Sequence, residues 1–143
     1  AYREWSVFMR LLASAERRPL LFHCSHGKDR TGLAAALLLS TLGVSWNTVL
    51  ADYLISNETP HVHNSAFRRR LHRMAPWLTR RPWKTPNLEP LLRLLSVDAE
   101  FLGAAHSEML AAHGDVDGYL TQRVGVHPAL RESLREALLT PAA

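Results

Sequence analysis

Apolar residues recur at helical spacing near the start of the chain. Trp5, Phe8, Met9 and Leu12 fall on one face, and Arg3, Glu4, Arg10, Glu16 and Arg17 fall on the others. The pattern predicts an amphipathic helix that ends at Arg18-Pro19. Leu20 to His23 then reads as a short, continuously apolar strand of the kind buried in a parallel sheet. A polar stretch from Cys24 comes next, and the periodicity returns in a helix from Thr31 to about Leu42. That helix is apolar almost all round, as a central buried helix is, and Gly43 supplies its C-terminal stop.

Farther on, Ser45 is placed to cap a helix running through Val49, Leu50, Tyr53 and Leu54, with Asn57 as its stop. Tyr53 and Tyr119, both at helical spacing, are expected in the core. The C-terminal third reads as helical throughout. Leu88 to Leu95 makes a short helix. Ser96 caps a longer one with Asp98 and Glu100 in its first turn, where the helix dipole favours negative charge. Its apolar face is Phe101, Leu102, Ala105, Met109 and Ala112, and Gly114 ends it. Asp115 caps a helix through Tyr119 and Leu120 that Gly125 closes, and Pro128 opens the last, with Leu130, Leu134 and Leu138 on one side.

Between the two helical regions the character changes. Residues 59–88 contain no Asp or Glu, seven Lys or Arg, three His, three Trp or Phe and four Pro. Ser65 to Met74 can be helical, but Pro76, Pro82 and Pro86 interrupt the residues after it. The stretch at about 58–88 therefore reads as a basic, lid-like insertion. Arg68, Arg69, Arg70 and Arg73 fit either a solvated face or contact with an anionic headgroup or membrane surface. His61 and His63 lack a third ligand at useful spacing, so no metal site is expected there. Trp77 and Trp83 read as packing residues.

Composition narrows this picture only a little. The chain has 143 residues, 47% hydrophobic and 21% charged, with a formal charge of +4 and eight histidines. That suits one domain whose surface attracts anions. The apolar helix and the acidic C-terminal helices leave no continuous basic face, so specific nucleic-acid binding is not expected. The longest apolar run, Leu33 to Leu39, is too short to span a bilayer. A single cysteine forbids an intramolecular disulfide and favours a reducing, cytoplasmic setting over a secreted one. A lone strand cannot make a sheet. The expectation is an α/β fold whose visible chain is mostly helical. The chain, 1–143, would then be the C-terminal part of a single domain, with a missing N-terminal segment completing the sheet.

The candidate chemistry lies in His23-Cys24-Ser25-His26-Gly27-Lys28-Asp29-Arg30-Thr31-Gly32. A strand, a tight polar loop and a helix together aim backbone N–H groups at an anion. Five residues separate Cys24 from Arg30, enough to curl round one tetrahedral phosphate. The N–H groups of residues 25 to 30 would point inward, and the Arg30 guanidinium would grip two oxygens. Gly27 permits the turn, Gly32 lets the helix start close to the loop, and Thr31 can bond the sulfur. N–H dipoles, a helix N-terminus and a cation all favour a Cys24 thiolate, which makes it a nucleophile for phosphoryl transfer. Arg30, Lys28 and the N–H groups can carry the transition-state charge without a metal or other cofactor. Asp29 is the acidic residue of the loop. It is a candidate proton donor or a structural partner of Arg30 and backbone N–H groups. His23 reads as a core-side residue bonding the loop backbone, and His26 faces the substrate.

These residues match the Cys-x5-Arg-Thr/Ser signature and resemble the protein-tyrosine-phosphatase superfamily. His-Cys-x-x-Gly-Lys-Asp-Arg-Thr-Gly is more particular and resembles the bacterial atypical phosphatases of the tyrosine phosphatase B type, which also act on phosphoinositides. Ala51 to Asn57, Gly114 to Leu120 and Val124 to Val126 are similar to that family too. The resemblance implies a protein-tyrosine-phosphatase-like fold and hydrolysis of phosphotyrosine, with phosphoserine/threonine alongside. Phosphoinositide hydrolysis, or phosphate binding without turnover, are the alternatives. It implies Cys24 as nucleophile, Arg30 as phosphate clamp, and Lys28 and Asp29 as loop residues that face the substrate; Ser25, His26, Gly27 and Thr31 of the same loop are expected to bind the substrate beside Lys28. It also implies a helical lid after the second helix. An Asp before the loop Arg is similar to myotubularin-type lipid phosphatases, where that position is linked with acid catalysis. The sequence contains no Trp-Pro-Asp, so the usual acid loop of tyrosine phosphatases is absent from this chain.

Overall fold

The computed structural model describes residues 2–58, 69–70, 73–74 and 96–139. Contacts divide the chain into two compact units, one formed by residues 1–53 with 99–143 and the other by residues 54–98.

In the first unit, α1 (Tyr2–Ala13) follows the apolar pattern. Met9 and Leu12 are buried, and Trp5 and Phe8 pack against the core with part of each ring exposed. A 3-10 turn at Ala15–Arg17 ends the segment ahead of Pro19. The second helix, α2 (Asp29–Thr41), is the central one expected, with Ala34, Ala36, Leu37 and Thr41 buried. The buried Thr41 hydroxyl donates to the Leu37 carbonyl at 2.8 Å, so the helix satisfies its own polar intrusion. Gly43, at φ +90°, closes the helix in the left-handed conformation that glycine takes without steric cost. Arg135 caps the same end by donating to the Leu42 carbonyl at 3.1 Å.

Ser45 caps α3 (Trp46–Ile55) as expected, accepting the Thr48 N–H at 3.4 Å. Trp46 stacks on His106 of α4 (Ala99–His113), ring centroids 3.7 Å apart and planes 8° from parallel. Burial there holds His106 below its ordinary pKa. Helix α4 starts at Ala99, later than a Ser96 cap implies. Its inward face is Leu102, Ala105 and Met109, whereas Phe101 is 55% exposed and Ala112 is on the surface. Asp115 caps the short α5 (Val116–Tyr119), accepting the Gly118 N–H at 2.6 Å. A π turn at Leu120–Val124 ends at Gly125, φ +79°. Pro128 opens α6 (Pro128–Leu138).

Helices α1, α2, α4, α5 and α6 share one core with the π turn. Met9, Leu12, Leu37, Met109, Tyr119, Leu120, Val124, Val126 and Leu134 form a single buried cluster. Helix α1 lies against α6 and the π turn, and α2 lies against α4 and α5. The expected core positions of Tyr53 and Tyr119 are both buried.

The expected strand at Leu20–His23 is not formed. The segment has no regular secondary structure, and Leu21 is 91% exposed, although Leu20 packs against the core and Phe22 is half-buried. Among the described residues there is no strand at all, so nothing there offers this segment a ladder of backbone hydrogen bonds.

In the second unit, α3 gives way to a 3-10 turn at Ser56–Glu58. Asn57 does more than end a helix. Its amide donates to the Val97 carbonyl at 2.9 Å and accepts the Val97 N–H at 2.8 Å, clamping two points 40 residues apart in sequence. Arg69, Arg70, Arg73 and Met74 are helical and exposed. The remaining readings for 59–95, including the helix at Leu88–Leu95, His61, His63, Trp77 and Trp83, lie outside the described residues. No helix among the described residues is long and apolar enough to cross a membrane.

Candidate functional site

The polar stretch forms a tight loop entering α2. Gly27 takes φ +66°, a backbone conformation that costs most side chains strain, and this turns the chain back towards Cys24. Lys28 stands at the N-cap position, and α2 begins at Asp29, two residues ahead of the expected Thr31. Its first turn closes through the Gly32 N–H donating to the Lys28 carbonyl at 2.6 Å.

The loop's donors converge on the Cys24 sulfur. The Thr31 hydroxyl and the backbone N–H groups of His26, Thr31 and Lys28 all bond it. Of these the Thr31 hydroxyl lowers the thiol pKa most, and together they bring it from 9.0 to about 6. Thr31 Oγ1 also accepts the Cys24 N–H at 2.9 Å, so one side chain fixes both the backbone and the sulfur of Cys24. At neutral pH the sulfur is mostly thiolate, half-buried at the mouth of a nest of N–H groups.

Arg30 is exposed, and its guanidinium donates to Ser25 Oγ at 3.3 Å across the loop. Lys28 and Asp29 form an ion pair at 3.3 Å, with the Lys28 side chain 14% exposed and Asp29 58%. The ammonium is thus largely withdrawn into the loop while the carboxylate faces outward. His26 is exposed beside them. Cys24, Ser25, His26, Gly27, Lys28, Asp29, Arg30 and Thr31, the expected site residues, all lie in this one loop and the first turn of α2. His23 departs from expectation. It bonds the Cys24 carbonyl through Nδ1 at 3.0 Å, but it is exposed and does not face the core, because the segment carrying it is not built into a sheet.

Two features escape a reading of the sequence. An open cavity of about 280 Å³ adjoins the loop, lined by Trp5, Phe8, Phe22, Cys24, Arg30 and Ala34 among others. Phe8 and Phe22 meet edge to face there at 4.8 Å. Helix α1 thus supplies an aromatic wall to a loop it precedes by more than ten residues, and only its amphipathic pattern hinted at such packing. The second feature is the buried ring of Tyr53, which lies flush against Gly32. A Cβ on Gly32 would sit 2.5 Å from Tyr53 Cε2 and 2.6 Å from Cδ2.

Among the described residues, no group of three or more His, Cys, Asp or Glu could hold a metal ion. The loop offers donors and cations, the surroundings a phosphate needs, rather than a ligand set for a cation.

Comparison with known proteins points to one family. The model of the tyrosine phosphatase family matches residues 1–140. The chain is 41% identical over 130 residues to a Cupriavidus necator protein provisionally named as a tyrosine-protein phosphatase, covering 90% of this chain and 43% of that one. It is 32% identical over 126 residues to the triple specificity protein phosphatase PtpB of Mycobacterium tuberculosis, covering 87% and 45%. A third relative, a tyrosine-protein phosphatase of Nostoc commune, is 40% identical over 65 residues, 39% of this chain and 22% of that protein. The chain spans less than half the length of each of these relatives. With its loop and its match over nearly the whole length, the chain belongs to the tyrosine phosphatase family.

Proposed function

We propose that this chain carries the catalytic loop of a phosphatase that hydrolyses phosphate monoesters through a cysteinyl phosphate. The observation that carries the reading is the Cys24 thiolate, held near pKa 6 by the donors of a loop that ends in Arg30. A bound phosphate ester takes the N–H groups and the Arg30 fork as partners for its oxygens. The Cys24 sulfur attacks phosphorus, and the ester P–O bond breaks with its electron pair on the leaving oxygen. Asp29 is the proton donor to that oxygen. Water then attacks phosphorus and gives up a proton to the Asp29 carboxylate. The S–P bond breaks, leaving inorganic phosphate and restoring the thiolate. Ser25 holds Arg30 across the loop, and Lys28 holds Asp29 at the loop mouth.

Phosphotyrosine is the primary substrate in this reading, with phosphoserine and phosphothreonine also accepted, in line with a relative named for triple specificity. The exposed Arg69, Arg70 and Arg73 support a second substrate class, phosphoinositides at an anionic membrane surface. The apolar Leu20–His23 segment, free of regular secondary structure and with Leu21 91% exposed, supports an α/β fold in which other residues of the whole protein pair with it as a strand.

The deciding experiment replaces Cys24 by serine. Cys24→Ser removes turnover of para-nitrophenyl phosphate while inorganic phosphate still binds, because the N–H nest and Arg30 remain. Turnover close to the parent's refutes the covalent route. Tight phosphate binding by the parent, with no phosphate release from any ester, makes the loop a binding module instead.

A further inference from the structure

The ring of Tyr53 is the unexpected neighbour of the loop. Tyr53 sits in α3, 5% exposed, and the edge formed by its Cδ2 and Cε2 occupies the space where any residue but glycine at 32 would place Cβ. Gly32 has an ordinary helical backbone, so its lack of a side chain is not explained by conformation, and at this position the constraint is contact with the ring. It follows Thr31, whose hydroxyl holds both ends of Cys24, and its N–H closes the first turn of α2 on the Lys28 carbonyl.

We propose that Tyr53 is a positioning residue for the phosphate-binding loop, its ring acting as a backstop that sets where the first turn of α2 stands and hence where Thr31 meets Cys24. A backbone packed directly on an aromatic edge has little room to drift, since interiors are close-packed and a displacement of an ångström forfeits contacts or creates overlap. On its N-terminal side the loop is held by Leu20 against the core and by Phe22 edge to face on Phe8, while Ser25, His26, Gly27, Asp29 and Arg30 are exposed. On the helix side its hold runs through Thr31 and Gly32. The inference rests on the phosphatase reading only for its consequence in turnover. The geometric claim concerns Cys24 alone.

The test reads Cys24 without reference to catalysis, through the pH dependence of its alkylation by iodoacetamide. Gly32→Ala forces the first turn of α2 off the ring. Its alkylation midpoint moves up by about one pH unit, and alkylation at pH 6 slows about fivefold, since a tenfold loss of thiolate preference at the midpoint leaves roughly a tenth ionised. Tyr53→Ala removes the backstop itself and raises the midpoint in the same direction. A folded Gly32→Ala chain with the parental midpoint overturns the proposal, as does a folded Tyr53→Ala chain with the parental midpoint. If Gly32→Ala does not fold, Tyr53→Ala and Leu37→Ala carry the comparison. Both remove buried volume, Leu37 from the same helix farther from the loop. Tyr53→Ala shifts the midpoint and Leu37→Ala does not; equal midpoints in the two defeat the proposal. Phosphatase activity measured in parallel separates the two claims. An inactive parent whose midpoint still responds to Gly32→Ala fails the phosphatase reading and leaves the positioning role standing. An active parent indifferent to Gly32→Ala does the reverse.

Discussion

The Thr31 hydroxyl accepts the Cys24 N–H at 2.9 Å and bonds the Cys24 sulfur as well. One side chain thus holds the nucleophile at two points. Its bond to the sulfur is the largest cause of the lowered thiol pKa. Thr31→Ala is expected to raise the Cys24 alkylation midpoint from about 6 by about one unit, whereas Thr31→Ser, which keeps the hydroxyl, stays near the parent. The thiolate fraction at pH 6 then falls several-fold in the alanine variant alone. Matching midpoints in the two variants would assign the shift to the backbone N–H groups instead.

The same thiol couples stability to pH. Its folded pKa, about 6, lies below the ordinary thiol value of 9.0, so the folded state favours the thiolate more than the unfolded chain does. The contribution is complete above pH 9 and is lost as pH falls through 6. Cys24→Ser has no such group. The melting temperature of the parent relative to Cys24→Ser is expected to rise between about pH 5.5 and pH 9, by a modest amount because the site opens to solvent. A gap that stays constant across the window contradicts a perturbed thiol.

Helix α6 offers a contrast between core and surface. Leu134 is fully buried in the shared cluster, and Leu134→Ala is expected to destabilise the first unit by about 2–5 kcal/mol in denaturant unfolding. Arg131 on the same helix meets both Asp117 oxygens, at 2.9 and 3.2 Å, but Asp117 is 62% exposed. Arg131→Ala is expected to cost about 1 kcal/mol or less, and less still in high salt. Comparable losses from the two substitutions would mean that the ion pair, not apolar burial, secures α6.

How much of the molecule is legible in its sequence depends on which signals are local. Helix ends came through because Gly43, Gly114, Asp115, Gly125 and Pro128 act on their own backbone, and each stands where its chemistry places it. The loop from Cys24 to Thr31 is legible because its members are contiguous in sequence and bond one another within eight residues of chain. Leu20–His23 failed for the opposite reason. Apolar content shows what a strand could bury, but a strand exists only with a partner, and no described residue supplies one. Spacing alone puts Phe101 on the inner face of α4, yet that face narrows to Leu102, Ala105 and Met109. The Gly32–Tyr53 fit and the Asn57–Val97 clamp were out of reach, because both join residues far apart in sequence through shape rather than pattern.

That clamp gives a test confined to the second unit. Asn57 satisfies both the N–H and the carbonyl of Val97, a buried residue, in a two-bond contact that resembles strand pairing with a side chain. Asn57→Ala leaves both groups without those partners, at about 1–3 kcal/mol. Hydrogen exchange at the Val97 amide is expected to quicken by about tenfold or more, while amides around Leu120 and Leu134 keep their protection. Unchanged exchange at Val97 would mean that the amide is protected by other contacts.

Asp29 decides whether the loop contains its own acid. The carboxylate is exposed at the mouth and paired with Lys28 at 3.3 Å, within the same turn as Arg30. That position suits a donor to a leaving oxygen, and it equally suits a strut that orients Lys28. The two roles separate by leaving group. A poor leaving group, such as an alkyl phosphate, needs its proton in the transition state, whereas para-nitrophenolate leaves well without one. If Asp29 is the acid, Asp29→Asn is expected to lower kcat by about 10²–10⁴-fold for alkyl or unsubstituted phenyl phosphate and far less for para-nitrophenyl phosphate. It also removes the limb of the kcat pH profile that requires a protonated acid. Because asparagine keeps the size of the side chain and can still accept from Lys28, a strut role predicts a small loss of equal size for every ester. A uniform fall would therefore transfer the acid to residues outside this loop and leave Asp29 as the partner that holds Lys28 in place.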